Sequence, residues 1–183
     1  MKKGLAVLFP GIGYTNDRSL LYFSGRVAAN AGFELLRVGY GGFPPGVKGD
    51  REKMKDSFVL AGKQAEEQLR DVRWEEYEEI LFISKSIGTV VASAYASERN
   101  LAVRSVIFTP LEETFLFLSG DALVFHGTAD PWAETAKIRA ACEKCGVPLF
   151  ITEGANHSLE TGDAVKDVET LTGVVEKVKN WCG

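Results

Sequence analysis

The stretch Ser84-Lys85-Ser86-Ile87-Gly88 decides how this chain is read. It follows Ile80-Leu81-Phe82-Ile83, an apolar run that reads as a strand. It precedes Thr89-Val90-Val91-Ala92-Ser93-Ala94-Tyr95, which reads as a helix. A serine on a sharp strand-to-helix turn has its hydroxyl pushed clear of the backbone. Small residues two before and two after it let the turn close against neighbouring chain. Those are the requirements of a nucleophile elbow, G-x-S-x-G, with Ser84 standing in place of the first glycine. Taken alone, the five residues read at least as well as a serine-rich turn capping a helix.

Two later segments change the balance. Phe125-His126-Gly127-Thr128-Ala129-Asp130-Pro131 ends another apolar run, and Gly154-Ala155-Asn156-His157-Ser158-Leu159 follows Leu149-Phe150-Ile151-Thr152. A Ser, an Asp and a His thus each lie just past the end of a predicted strand, in the chain order Ser…Asp…His. On these motifs the chain resembles the compact α/β-hydrolase-fold serine hydrolases, of the dienelactone-hydrolase and carboxylesterase-like kind, which have that order. The resemblance covers nearly the whole chain. It implies a minimal fold without the antiparallel first two strands of the eight-stranded form, so that residues 5–9 are the strand usually numbered third. It also implies an oxyanion hole. One donor is the N–H of Ile87; the other is that of Ile12, in Phe9-Pro10-Gly11-Ile12-Gly13-Tyr14. That loop resembles the family's H-G-x-G, with Pro10 where a histidine often stands.

Composition agrees. The 183 residues suit one domain spanning 1–183, and 45% hydrophobic with 25% charged residues is ordinary for a globular protein. A net charge of −4 gives no electrostatic reason to expect nucleic acid or an anionic membrane. No run is long enough to span a bilayer. Met1-Lys2-Lys3-Gly4 is basic like an export signal, but the apolar run behind it stops at Pro10-Gly11 and reads better as a first strand. Three cysteines make no disulfide framework and suit a reducing cytoplasm. Oligomeric state is left open.

Strand and helix signals alternate from end to end, which predicts an α/β/α sandwich around a mainly parallel sheet. The expected strands are 5–9, 34–38, 79–83, 105–108, 122–125 and 149–151. Between Arg51 and Arg73, Met54, Phe58, Ala61, Ala65, Leu69 and Val72 recur at steps of three and four and form one apolar stripe. Val168, Leu171, Val175, Val178 and Cys182 do the same. Further helices are expected from Arg18 to Asn30, capped by Asn16 or Asp17, and from Trp132 to Lys144, started by Asp130-Pro131. The connection from Phe108 to Ala122 is too short for a lid domain. The loop 39–46 follows a strand and shares a rim with Ser86.

A serine hydroxyl needs a base to take its proton as it attacks. His157 is the best candidate of two histidines; His126 reads as a strand-end residue satisfying backbone. Asp130 would orient His157 and stabilise its imidazolium, with Glu112, beyond the preceding strand, as a second candidate acid. Gly11-Ile12-Gly13 also invites a nucleotide-binding reading, but Asn16 replaces the third glycine and no acid ends the second strand. A Walker lysine is missing. Cys142 and Cys145 close a helix rather than open one, which suits ordinary thiols better than a redox pair. Trp132, Tyr14, Phe43 and Pro44 are candidates for an acyl pocket or for plain packing. The expected activity is hydrolysis of a small-molecule ester or thioester through an acyl-enzyme, with no cofactor or metal and with an acid limb in kcat/KM. The rival is a non-catalytic small-molecule-binding protein on the same fold.

Overall fold

The computed structural model describes residues 4–47 and 50–183, so the basic Met1–Lys3 segment lies outside the described residues. Among the described residues six strands are formed: β1 Gly4–Phe9, β2 Phe33–Arg37, β3 Glu79–Lys85, β4 Arg104–Phe108, β5 Ala122–Gly127 and β6 Leu149–Thr152. They make one sheet in the order β2-β1-β3-β4-β5-β6, and every neighbouring pair is parallel. Parallel strands are covered on both faces, so their sequences read as continuous apolar runs. β1 and β5 are buried along their whole length.

Among the described residues five helices do the covering: α1 Ser19–Asn30, α2 Arg51–Leu69, α3 Ile87–Glu98, α4 Thr135–Cys145 and α5 Ala164–Cys182. α1 and α5 lie on one face, over a core that includes Leu8, Leu21, Ile83, Val106, Phe125, Val174 and Val178. α2 and α3 close the other face over Val7, Phe9, Phe82, Ala61, Ala65 and Val91. α4 extends that second layer over Ile107, Val124 and Ile138. Each fully buried aliphatic or aromatic side chain contributes roughly 1.5–3 kcal/mol. The strand order reverses between β1 and β3. Open α/β sheets bind ligands in the crevice outside the carboxyl ends of such strands, and Ile12 and Ser86 lie just beyond those two ends.

Helix ends depart from expectation in three places. α1 begins at Ser19 with Arg18 at the cap position and no side-chain cap. Asn16 does not cap it, because the Asn16 amide donates to Val38 O at 2.7 Å and ties the β1–α1 loop to the end of β2. α2 stops at Leu69, and Trp74–Glu76 forms a separate short 3-10 turn. α4 starts at Thr135 rather than Trp132, since Asp130 turns the chain locally by accepting from Trp132 N. Asp50 and Asp163 cap α2 and α5 through Lys53 N, and through Val165 N and Lys166 N. Among the described residues no helix is long and apolar enough to cross a membrane.

Gly88 is where β1 and α3 touch. A Cβ at this position would lie 2.3 Å from Pro10 O and 2.4 Å from Phe9 O. Both obstacles are backbone, so nothing can rotate away. Gly88→Ala is expected to lower unfolding stability by about 3 kcal/mol, at the upper end of overpacking costs. Urea denaturation checks this, and a loss comparable to an ordinary surface substitution contradicts the packing described.

Candidate active site

Ser86 links the last residue of β3 to the first of α3. Its backbone lies at φ 56° and ψ −127°, a conformation that costs a residue with a side chain about 1–3 kcal/mol. The surroundings hold it there. Ser86 N donates to Phe108 O at 3.1 Å. Ser86 O accepts from Thr89 N at 2.9 Å and from Thr89 Oγ1 at 2.6 Å. Ser84 fills the first-glycine position with its hydroxyl aimed into the sheet at Val106 O, 3.4 Å away.

The Ser86 hydroxyl lies 2.8 Å from His157 Nε2, and His157 Nδ1 lies 2.7 Å from Asp130 Oδ2. With the imidazole proton on Nδ1, the ring donates to the carboxylate and Nε2 accepts from the serine. The Asp130 side chain is fully buried, and its second oxygen accepts from Trp132 N at 2.9 Å. The three side chains therefore form one chain of hydrogen bonds across the ends of β3, β5 and β6. Glu112 is not part of it. Its carboxylate pairs with Lys137 Nζ at 3.1 Å, on the exposed side of α4.

His126 is fully buried behind Asp130. Its Nε2 meets Thr135 Oγ1 at 3.0 Å, so it serves a side chain rather than backbone, while its Nδ1 lies 3.9 Å from Asp130 Oδ2. Burial pushes this imidazole below the ordinary histidine range, against the opposing pull of Asp130.

Sequence reasoning misses several positioning groups. Asn156 Oδ1 accepts from Ser158 N at 2.7 Å and Glu160 N at 3.2 Å, folding the loop that carries His157. Its signal was an Asn before a His after a strand, an Asx-turn pattern. Thr109 Oγ1 donates to His157 O at 3.0 Å. The Trp132 ring lies 5.6 Å from that of His157, inclined by 32°, so Trp132 borders the site. Tyr14 does not: it is only 5% exposed and packs in the α1/α5-side core. Phe43 and Pro44 are half-buried in a loop that the Gln64 and Gln68 side chains hold through Gly41 and Gly39.

Gly11 and Tyr14 exchange backbone bonds, with Gly11 N to Tyr14 O at 3.0 Å and Tyr14 N to Gly11 O at 3.3 Å. Ile12 and Gly13 form the tip of this tight turn. A Cβ on Gly11 would lie 3.0 Å from Ser86 Cβ, so the turn presses against the serine. Ile87 is the first residue of α3, where an amide has no partner within the helix. Cys142 is buried and Cys145 exposed. Among the described residues no group of three or more His, Cys, Asp or Glu side chains is placed to hold a metal ion.

No family model and no curated protein matches this chain. Solved structures do. An α/β serine hydrolase homologue from Coxiella burnetii is similar at TM-score 0.69 and 16% identity, covering 96% of this chain and 84% of that one. Est1E from Butyrivibrio proteoclasticus with ferulic acid bound gives 0.71 and 14%, covering 98% and 88%. An α/β serine hydrolase without a lid from Xanthomonas campestris gives 0.64 and 13%, covering 99% and 84%. This chain has the α/β-hydrolase fold in its minimal, lidless form.

Asn156→Ala removes the acceptor that folds the His157 loop. We expect about 1–2 kcal/mol of lost stability, the cost of leaving backbone donors without their partner. Amide hydrogen exchange at Ser158 and Glu160 should speed up while β3 and β5 stay protected. Unchanged exchange there contradicts the role given to Asn156.

Proposed function

We propose that this protein is a serine hydrolase that cleaves a carboxylic ester or thioester through an acyl-enzyme intermediate. One observation carries the reading: the unbroken Ser86–His157–Asp130 hydrogen-bond chain, with Ser86 on a strained turn. His157 Nε2 takes the hydroxyl proton as Ser86 Oγ bonds to the acyl carbon. Asp130 stabilises the imidazolium that results. The carbonyl oxygen becomes an oxyanion facing the N–H groups of Ile12 and Ile87, the latter at the positive end of the α3 dipole. His157 then protonates the leaving oxygen or sulfur as that bond breaks. Water, deprotonated by the same ring, attacks the acyl-Ser86 ester; His157 returns that proton to Ser86 Oγ as the acyl–Oγ bond breaks, and the acid is released. No step calls on a cofactor or metal.

The open rim supports a small substrate. Between β4 and β5 there is only the 3-10 turn Glu112–Leu116, with Leu116 77% exposed. Trp132 flanks His157 and gives an acyl group an aromatic wall. A non-catalytic binding protein on the same fold is the competing reading, but binding alone gives no reason for a strained serine paired to a histidine.

A panel of p-nitrophenyl and thio esters of increasing acyl length tests the proposal. Ser86→Ala should abolish turnover while leaving the fold intact. Asp130→Asn should lower kcat/KM by roughly 10³–10⁴-fold, because the amide favours the wrong tautomer of His157. Activity retained by Ser86→Ala sinks the assignment. Loss of activity in chelator, restored by zinc, contradicts the mechanism.

A further inference from the structure

Lys85 is the one ionisable residue of the Ser84–Gly88 motif, and the proposed mechanism leaves it unused. It precedes Ser86 and ends β3, on the same side of the sheet as Leu81 and Ile83. It is 1% exposed, and its ammonium sits 4.7 Å from the centroid of the Tyr14 ring. Among the described residues no carboxylate lies within ion-pair distance of it. Lysine is almost never buried unless paired, so the aromatic face takes the partner's place.

Tyr14 is held through its backbone, its phenol oxygen and its ring. Its backbone closes the turn that carries Ile12 and presses on Ser86. Its phenol oxygen accepts from Leu20 N at 3.1 Å, at the start of α1. Its ring receives Lys85. The side chain next to the nucleophile is thereby joined to the loop opposite it. Resting on the hydrolase reading above, we infer that Lys85 is a positioning residue for the oxyanion hole: its charged ammonium, seated on Tyr14, holds the Gly11–Tyr14 turn in register with Ser86.

Only the cation is attracted to the ring face, so the brace follows the protonation of Lys85. Burial lowers its pKa to about 7, while Asp130 and Glu160 pull it back upward. Facing it are Tyr14 on the β1–α1 loop, Asp130 on the β5–α4 loop and Glu160 on the β6–α5 loop. Arg18 also lies 5.6 Å from the Tyr14 centroid, and His126 and His157 flank Asp130. Burial raises the Tyr14 phenol above its usual range, so it stays neutral while Lys85 titrates. The sign is therefore fixed. The brace is complete below the folded pKa of Lys85 and is lost as pH rises through about 7.

The test compares the wild type, Lys85→Arg and Lys85→Met. The amide resonances of Gly11, Ile12 and Gly13 are followed by NMR from roughly pH 5 to 9, a range bracketing both histidine and this lysine. In the wild type they should move in a step that both variants lack. Lys85→Arg, always charged, should hold the low-pH positions; Lys85→Met should hold the high-pH ones. The phosphonylation rate of Ser86 by a fluorophosphonate, taken relative to that of Lys85→Arg at each pH so that the shared His157 limb cancels, should fall with pH through the same step in the wild type. In Lys85→Met it should be about ten- to a hundredfold slower below that step, the scale of a misplaced oxyanion donor. The loss in ester hydrolysis should lie in kcat with KM little changed. Amides that titrate identically in all three proteins, with Ser86 still reacting normally, overturn the inference and leave the hydrolase reading standing. A protein whose Ser86 does not react at all overturns the hydrolase reading and Lys85's assignment with it.

Discussion

The close approach of the end of β1 to the β3–α3 turn is the constraint on which the site depends. Gly88 permits it, because only a hydrogen fits against Phe9 O and Pro10 O. The six-residue pairing of β1 with β3 sets it, ending at Phe9 opposite Ser84. Once the two chain ends are pressed together, the Gly11–Tyr14 turn has nowhere to go but over Ser86. The unfavourable backbone of Ser86 is then sustained by the packing and hydrogen bonds on either side of it. Strain of this kind persists only where its surroundings over-determine it, and here they are two central buried strands and a buried helix.

The rest of the site is built at the periphery from weaker materials. Asp130 follows β5 and His157 follows β6, the edge strand, whose residues are only half-buried. These loops hold themselves by side-chain bonds to backbone: Asp130 to Trp132 N, Asn156 to Ser158 N and Glu160 N, Thr109 to His157 O. Leu159, at φ 58° yet 3% exposed, anchors the His157 loop into the core. Rigid strands thus carry the serine, and hydrogen-bonded loops deliver its partners.

How much of this the chain reveals depends on the interaction. Strands were legible because burial on both faces leaves unbroken apolar runs such as Leu5-Ala6-Val7-Leu8-Phe9. The positions of Ser86, Asp130 and His157 at strand ends followed from those runs, and the structure brings all three together. Helix starts were not legible where a capping residue had another partner: Asn16 goes to Val38 O, and Asp130 is occupied by His157 and Trp132 N. Glu112 was a fair candidate by position but turns to Lys137. Tyr14 and Lys85 were the hardest to read. Tyr14, in its glycine-rich loop, reads equally as a pocket wall or as plain packing, and nothing in the sequence singles out Lys85. Only the fold shows that each is buried against the other.

The central claim is that the Ser86–His157–Asp130 chain makes Ser86 nucleophilic. The most direct measurement is peptide mapping by mass spectrometry after reaction of the native protein with a fluorophosphonate. The account predicts a single stoichiometric adduct on Ser86 that does not form in the unfolded protein. An intact, unmodified protein, or an adduct on Ser84 or Ser158 instead, would contradict it.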